Sequence, residues 1–426
     1  MTHQEFLQEI FAKTATGRKL ELQRISKFLG AINNPEKKLR GIHIAGTNGK
    51  GSVAATVESI LDAHSIKVGL NTSPHLVNYQ ERFRINKKEV DPSRLQAIYE
   101  QHKELHNRFD TTYFEITTSI AFQLWYEEKV EYAIMEVGLG GRLDATVLMN
   151  SVITAITNIE LDHCHTLGST LSAIAREKAG IIKPSIPVIL GQVRPSADKI
   201  IEKVARQKNS PVLRFKNEVK LSSIRLYESH SVYNLSIPCY NIEYKELFCN
   251  LSGIGQVYNS SLAILIVAVL FEREGKILNE DMVRKGLAKI VWQGRMQKIC
   301  NQPRIIVDGA HNPAAINMLV YNLTHIFYYR KLIVLIGILA VKDFRTMLHR
   351  LAPITDLFIT CKPNSERAAE SSALSREIKK YKIPCITKTD VIDALETARR
   401  HAGPLDLICV TGSLYTVGEI LARFQK

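Results

Sequence analysis

The chain has 426 residues, 45% of them hydrophobic and 23% charged, which is a composition for two or three globular domains rather than one core. No uninterrupted apolar run reaches the ~18 residues of a membrane span, Met1-Thr2-His3-Gln4-Glu5 lacks the layout of a secretory leader, and the seven cysteines form no Cys-x-x-Cys pair, so a cytoplasmic protein without disulfides or a zinc ribbon is expected. The net charge of +14 is spread along the chain in clusters as short as Lys37-Lys38 and Lys379-Lys380, with no nucleic-acid-binding motif; a basic solvated surface is favoured over a dedicated polyanion face, and neither nucleic acid nor membrane is an expected partner.

Strand-like and helix-like segments alternate, the pattern of parallel sheets with crossover helices. Residues 41–45 read as a strand and 52–64 as a helix. Residues 131–137 and 152–157 read as buried strands, and 171–179 as a helix stopped by Gly180. Short β-rich runs between 211 and 250 suggest a small antiparallel insertion, followed by a helix over 257–272. Strands at 304–307, 332–336, 357–360 and 407–410 then begin a second alternation. The expected fold is α/β: a P-loop-type, mostly parallel sheet domain with that insertion over 1–293, then a smaller Rossmann-like α/β domain over 294–426. Closure of the two would hinge near residues 292–295.

Gly46-Thr47-Asn48-Gly49-Lys50-Gly51-Ser52 joins the first clear strand to a helix. Its glycines let backbone N–H groups approach phosphate oxygens, and the helix N-terminus adds partial positive charge. Lys50 can reach the β- and γ-phosphates, and Ser52 can cap the helix or touch a metal. The general Walker pattern is not met, because position 44 is Ile and Gly51 separates Lys from Ser. The bland alternative is a glycine-rich turn with an N-cap serine; strand, loop, lysine and helix in this order favour a phosphate site. Glu136 ends a hydrophobic strand, where α/β sheets place their ligands, and its carboxylate suits a hard cation such as Mg²⁺. Its plain alternative is a strand-end acid paired with Lys or Arg.

Six further stretches follow the loop in order: Thr72-Ser73-Pro74-His75, Glu136-Val137-Gly138-Leu139-Gly140-Gly141-Arg142-Leu143-Asp144-Ala145, Leu161-Asp162-His163, Glu177-Lys178-Ala179-Gly180-Ile181-Ile182, Asp308-Gly309-Ala310-His311-Asn312-Pro313 and Thr411-Gly412-Ser413-Leu414-Tyr415. Together they resemble the Mur-ligase superfamily, and within it the folylpolyglutamate/dihydrofolate synthases, over nearly the whole chain. The resemblance implies ATP-dependent ligation of L-glutamate to dihydropteroate or folyl-polyglutamate through an acyl phosphate, with release of ADP and phosphate. ATP and two Mg²⁺ ions would be the cofactors, small molecules the only partners, and the enzyme a monomer. A carboxylate is a poor electrophile toward an amine, so such an enzyme must align the γ-phosphate with it and neutralise the charge on the phosphate oxygens.

The resemblance also distributes roles. Thr47, Asn48, Gly49, Lys50, Gly51 and Ser52 would hold ATP, with Asn259, Arg295 and Asp308 from farther along. Ser73 and Glu136 would serve a first metal. His163 would serve a second, although histidine chemistry alone leans to zinc or manganese. His165 reads as a solvated loop residue. Lys178 alone would be a solvated helical lysine; the resemblance makes it a carbamate, an anionic metal ligand, and catalytic together with Lys50 and His311. His311 and Ser413 would meet the incoming glutamate. Lys19, Leu20, Glu21, Leu22, Thr112, Tyr113, Phe114, Glu115, Leu143, Asp144 and Ala145 are nominated for the pterin. The chain departs from the family pattern at Val147, Gly255 and Val341, where Asn, His and Asp are usual.

Two rivals are less well served. A cell-wall ligase acting on UDP-muramyl peptides would carry a nucleotide-sugar domain before the loop, and only 45 residues precede Gly46. A nucleotide-hydrolysing switch would have no use for Asp308 and His311 in a second domain.

Overall fold

The computed structural model describes residues 2–14 and 21–424. Its largest sheet has eight strands in the order Lys88–Glu89, Phe83–Ile85, Val68–Asn71, Tyr132–Glu136, Gly41–Ala45, Ser151–Asn158, Val188–Gln192 and Val212–Arg214. The last six pair in parallel; the first two turn back as an antiparallel edge. Gly41–Ala45 and Tyr132–Glu136 are buried at every position. Both faces of the sheet are covered, so these strands read as continuous apolar runs rather than alternations.

One face is covered by His3–Ala12, Gln23–Ala31, Pro92–Arg108 and Tyr113–Glu127, whose apolar residues join one core. The other carries Lys50–Ala63, enclosed between the sheet and the helices Ile254–Arg273 and Glu280–Ala288. Gly286 makes that enclosure possible: a Cβ there would lie 2.8 Å from Ile60 Cα, and Ser59 Oγ donates to Gly286 O at 2.7 Å. Ile254–Arg273 is long and apolar enough to cross a bilayer, unlike anything expected from the sequence, but 78% of its apolar window is buried against protein and it acts as a core helix.

Lys220–Leu226, Ser231–Ile237 and Ile242–Cys249 form a separate antiparallel sheet. Strict alternation of burial along Ser231–Ile237 puts one face on Ile254–Arg273, where Tyr233 Oη and Ser260 Oγ are 2.7 Å apart. The third sheet runs Gln297–Asn301, Arg304–Val307, Leu407–Thr411, Leu332–Ile336, Leu357–Thr360, Cys385–Thr387, parallel except for its first hairpin, with helices on both faces. The expected fold class is therefore the observed one.

Two local expectations fail for identifiable reasons. The helix expected from residue 52 starts at Lys50, because Gly49 takes φ 82° as its N-cap; Ser52 falls inside the first turn, caps nothing, and its buried Oγ has no hydrogen-bond partner. Gly180 does not stop a helix in the left-handed region. Leu171–Lys178 passes into a 3₁₀ turn, Ala179–Ile181, and the glycine is needed because a Cβ would lie 2.3 Å from Arg142 Cα.

Candidate functional site

The parallel strands of the first sheet deliver their loops to one edge. Gly46 follows Gly41–Ala45, and a Cβ on it would sit 1.9 Å from Thr157 Oγ1. Thr157 Oγ1 donates to Asn48 O at 2.6 Å, and Asn158 Oδ1 accepts the N–H of Asn48 at 2.8 Å and of Thr47 at 3.2 Å. The neighbouring strand thus fixes the first half of the loop. The N–H groups that open Lys50–Ala63 face off the helix end, where an anion is stabilised. Lys50 Nζ lies 3.3 Å from Thr47 O and 3.7 Å from Glu136 Oε1.

Glu136 is 5% exposed and accepts the Ser73 N–H through Oε2 at 3.1 Å. Burial pushes its carboxyl above the ordinary range, opposed by Lys50, the Ser73 N–H, Arg295 and Arg82. Trp292 closes the floor: a Cβ on Gly51 would lie 2.6 Å from its ring and 3.2 Å from Glu136 Oε2. Asn259 leans on the same loop, its Oδ1 2.5 Å from where a Gly49 Cβ would be.

Lys178, expected from sequence alone to be solvated, is 5% exposed, and its Nζ donates to Gly46 O at 2.7 Å. Burial, helped by Lys50 and opposed by Asp162 and Asp144, lowers its pKa to about 7. His163 takes φ 51°, and burial with the nearby Lys342 lowers its pKa to about 4, so it is neutral at physiological pH. Lys342 Nζ lies 3.4 Å from His163 Nε2 and is ion-paired with Asp162. Asp162 Oδ2 also receives Asn312 Nδ2 at 3.1 Å and lies 3.6 Å from His311 Nε2. Burial alone would raise the Asp162 carboxyl; the neighbouring His311 ring and the Lys342 ammonium hold it far below the carboxylate range.

Among the described residues, no three His, Cys, Asp or Glu side chains are grouped to hold a metal ion. Glu136 and Ser73 nevertheless fit magnesium, which often takes one or two carboxylates and completes its shell with water and phosphate oxygens. His163 and the unmodified Lys178 do not fit a cation, because one ring nitrogen faces an ammonium and Lys178 is itself an amine. A carboxyl group on Lys178 would replace the ammonium by oxygen donors, while the His163 ring would still face Lys342.

From the third sheet, Arg295 Nη1 donates to Gly294 O at 2.9 Å, and the Asp308 carboxylate accepts the N–H groups of Met296 and Ala310, each at 2.9 Å. Burial raises the Asp308 carboxyl, against the pull of Arg295. His311 Nδ1 lies 2.8 Å from Gly309 O, which makes it the protonated ring nitrogen and turns Nε2 toward Asp162. Ser413 is 2% exposed, and its Oγ accepts the Thr416 N–H at 3.1 Å and lies 2.8 Å from Thr416 Oγ1. Its hydroxyl is occupied as a helix cap.

The pterin nominees are partly brought together. Lys19 and Leu20 lie outside the described residues. Leu22 precedes Gln23–Ala31 and supplies its carbonyl to Ser26. Arg24 links Glu21 and Glu115, and Thr112 and Glu115 form a capping box at the start of Tyr113–Glu127. Phe114 and Asp144 meet at Gly138, where a Cβ would be 2.5 Å from Phe114 Cζ and 3.2 Å from Asp144 Oδ2. Asp144 is committed to the N–H groups of Leu139 and Thr146 and to the Thr146 hydroxyl, while Leu143 is half-buried and Ala145 is core.

Sequence reasoning did not nominate an aromatic group beside these residues. Phe11, 40% exposed, is 5.2 Å from the Tyr113 ring and 6.4 Å from His75; Arg82 stands 5.5 Å from the Tyr113 ring and donates to His75 Nδ1 at 2.8 Å. Asp162, Asn312 and Lys342 were also unassigned. A cavity of about 540 Å³ near Lys37, Met149, Ser151 and Lys183 lies at the opposite ends of the strands and is not part of this site.

Known proteins place this arrangement in context. The chain matches the Mur ligase middle domain over residues 44–267 and the Mur ligase glutamate ligase domain over 294–414. It is 33% identical to folylpolyglutamate synthase of Lacticaseibacillus casei, over 81% of this chain and 82% of that protein. It is 30% identical to dihydrofolate synthase/folylpolyglutamate synthase of Bacillus subtilis, over 99% of each. The solved structure of Mycobacterium tuberculosis folylpolyglutamate synthase complexed with ADP superposes with a TM-score of 0.92 at 28% identity, covering 100% of this chain and 98% of that one.

Proposed function

The chain belongs to the folylpolyglutamate/dihydrofolate synthase family of Mur ligases and is an ATP-dependent ligase that joins glutamate to folates; from that premise we propose how its residues divide the work. The observation that carries the reading is the convergence, at one edge of the first sheet, of Lys50 and Glu136 with Asp162, to which the C-terminal domain adds His311 and Lys342. ATP lies on the loop 46–52. Its phosphates meet the free N–H groups of the helix end and Lys50, with Asn259, Arg295 and Asp308 completing the nucleotide side.

Lys50 neutralises charge on the γ-phosphate as it passes to the substrate carboxylate, giving an acyl phosphate that the glutamate amine attacks. Two Mg²⁺ ions, one at Ser73 and Glu136 and one at His163 and carbamylated Lys178, would supply charge neutralisation at the phosphate oxygens. His311 faces the glutamate through Nε2, while Ser413 holds the adjoining turn. Tyr113, Phe114 and Phe11 offer ring faces for the pterin, with Thr112, Glu115, Asp144, Glu21 and Leu22 shaping the walls. We place the enzyme in the cytoplasm as a monomer whose domains divide near residue 293. Neutral His163 supports the ligand role, because an imidazolium has no lone pair for a metal.

The purified protein, given ATP, Mg²⁺ and L-glutamate with either dihydropteroate or tetrahydrofolate, should form ADP only when pterin and amino acid are both present. Mass spectrometry should find the pterin heavier by one glutamyl residue. ADP formation that ignores glutamate would overturn the assignment, and comparison of the two pterins identifies the accepted substrate.

A further inference from the structure

Asn312 lies in the C-terminal half of the chain and spends most of its side chain on the other half. Its Oδ1 accepts the Ala315 N–H at 2.9 Å, capping the helix Pro313–Ile326, and lies 3.2 Å from Asn48 Nδ2. Its Nδ2 donates to Asn48 Oδ1 at 2.9 Å and to Asp162 Oδ2 at 3.1 Å. At 1% exposure, this amide uses both donor hydrogens and both acceptor sites. Three of those four bonds cross between the halves. They end on the loop that carries Lys50 and on the carboxylate that Lys342 answers from the same side as Asn312.

We propose that Asn312 is a positioning residue that makes closure of the two domains and the set of the phosphate loop a single event. The inference rests on the reading of residues 46–52 as the ATP phosphate site. Asn48 couples the two, because its backbone is tied to the first sheet, N–H to Asn158 Oδ1 and carbonyl to Thr157 Oγ1, while its side chain is tied to Asn312. A loop displaced from its phosphate-holding shape therefore loses the reciprocal amide pair. Domains that part strip Asn48 and Asp162 of buried partners, which is costly when water does not replace them at once. By linkage, a ligand that fixes the loop favours closure by the same factor by which closure favours the ligand.

Capping alone does not account for an amide here. Serine or aspartate caps a helix as well as asparagine does. Only an amide also presents two hydrogens, one to Asn48 and one to Asp162.

The test uses Asn312→Ser and Asn312→Asp in the full chain, both of which keep an acceptor for Ala315. Asn312→Asp sets a second carboxylate against Asp162; Asn312→Ser removes the reach to Asn48. ADP affinity is measured by calorimetry, compaction by small-angle scattering with and without ADP, and folding by thermal denaturation. The expected result is a melting temperature within a few degrees of wild type, ADP affinity lowered about tenfold, within the range of ordinary coupling, and diminished compaction. Asn48→Ser should cost much less in the Asn312→Ser background than in wild type, because the pair is already broken. Unchanged affinity and compaction in folded Asn312→Ser, or additive losses in the double variant, would overturn the proposal. Should Asn312→Asp fail to fold, Asn312→Ser decides the matter alone. Wild-type protein that binds no ADP would instead remove the phosphate-loop reading, and the proposal with it.

Discussion

Replacing Lys178 by methionine exchanges a buried amine for an apolar chain of similar length. The amine is 5% exposed, and burial, assisted by Lys50, takes its pKa from 10.5 to about 7. Below pH 7 the folded protein carries a poorly solvated ammonium that the unfolded chain keeps in water, so folding bears the whole cost. Between pH 7 and 10.5 the unfolded state binds more protons, and stability contributed at this position climbs until the cost is gone. At about 1.4 kcal/mol per pH unit, that interval amounts to about 5 kcal/mol. Methionine also leaves Gly46 O without its 2.7 Å donor, a loss of about 1–3 kcal/mol. Lys178→Met should therefore be inactive yet more stable than wild type by about 2–4 kcal/mol at pH 6, and the two should converge between about pH 8 and pH 10. Urea denaturation in CO₂-free buffer, followed through Trp125 and Trp292, measures the difference. A stability difference that stays constant from pH 6 to pH 9.5 would mean that Lys178 carries no buried charge cost. The same lowered pKa raises the neutral fraction at pH 7 from about one in three thousand to about one half. That is the form that takes up CO₂, so ¹³C-bicarbonate should give a carbamate resonance in wild type that Lys178→Met lacks.

Lys50→Ala should lower turnover by a few powers of ten with the melting temperature unchanged; near-normal ligation by the folded variant would remove Lys50 from the mechanism. Glu136→Gln takes away the carboxylate beside Lys50 and Ser73, and should shift the Mg²⁺ concentration for half-maximal activity upward by at least tenfold; an unaltered magnesium titration would count against this ligand. Gly286→Ala puts a methyl group 2.8 Å from Ile60 Cα and 2.9 Å from Ser59 O, backbone that cannot give way locally, and should cost about 1–3 kcal/mol in stability while leaving KM values alone. A wild-type denaturation midpoint for Gly286→Ala would mean that the two helices part more easily than their packing implies.

The parallel strands were legible because burial on both faces leaves an unbroken apolar run with turns at each end. Arg304–Val307, Leu332–Ile336 and Leu357–Thr360 fall on the residues expected. Val68–Asn71 was legible only as a strand-like run ahead of Ser73, without bounds, since four residues containing Gly69 give a weak pattern; that glycine is there because Trp125 occupies the space of its Cβ, with a ring atom 2.2 Å away. Phe83–Ile85, Lys88–Glu89 and Cys385–Thr387 are shorter still, and the last two are sheet edges, where polar residues are tolerated. The site divides the same way. Its loop is contiguous in sequence and could be read. Asn48 and Asn312, however, are 264 residues apart, and Asp162 and Lys342 are 180 apart. No local periodicity records such pairs.

Lys178 shows how a correct local rule gives the wrong surroundings. A lysine in the last turn of a helix suits the dipole and is ordinarily solvated; here the Gly46 carbonyl, 132 residues away, receives it inside the protein. Capping chemistry works in the opposite direction. Thr112, Asp144 and Ser413 were nominated as ligand contacts, and each is a short polar residue ahead of a helical turn, the position at which such side chains bond their own backbone. In the structure their oxygens accept the N–H groups of Glu115, Thr146 and Thr416. An oxygen already holding a helix end gives a ligand less than one with spare capacity. Among the described residues Lys50 reaches a carbonyl and a carboxylate at 3.3 and 3.7 Å, and His311 Nε2 stands 3.6 Å from Asp162 Oδ2, beyond hydrogen-bond distance. Unspent bonding capacity at the ends of parallel strands therefore separates Lys50 and His311 from the capping residues in the same motifs, and substitutions should divide accordingly. Loss of the caps should act first on stability, and loss of Lys50 or His311 first on turnover.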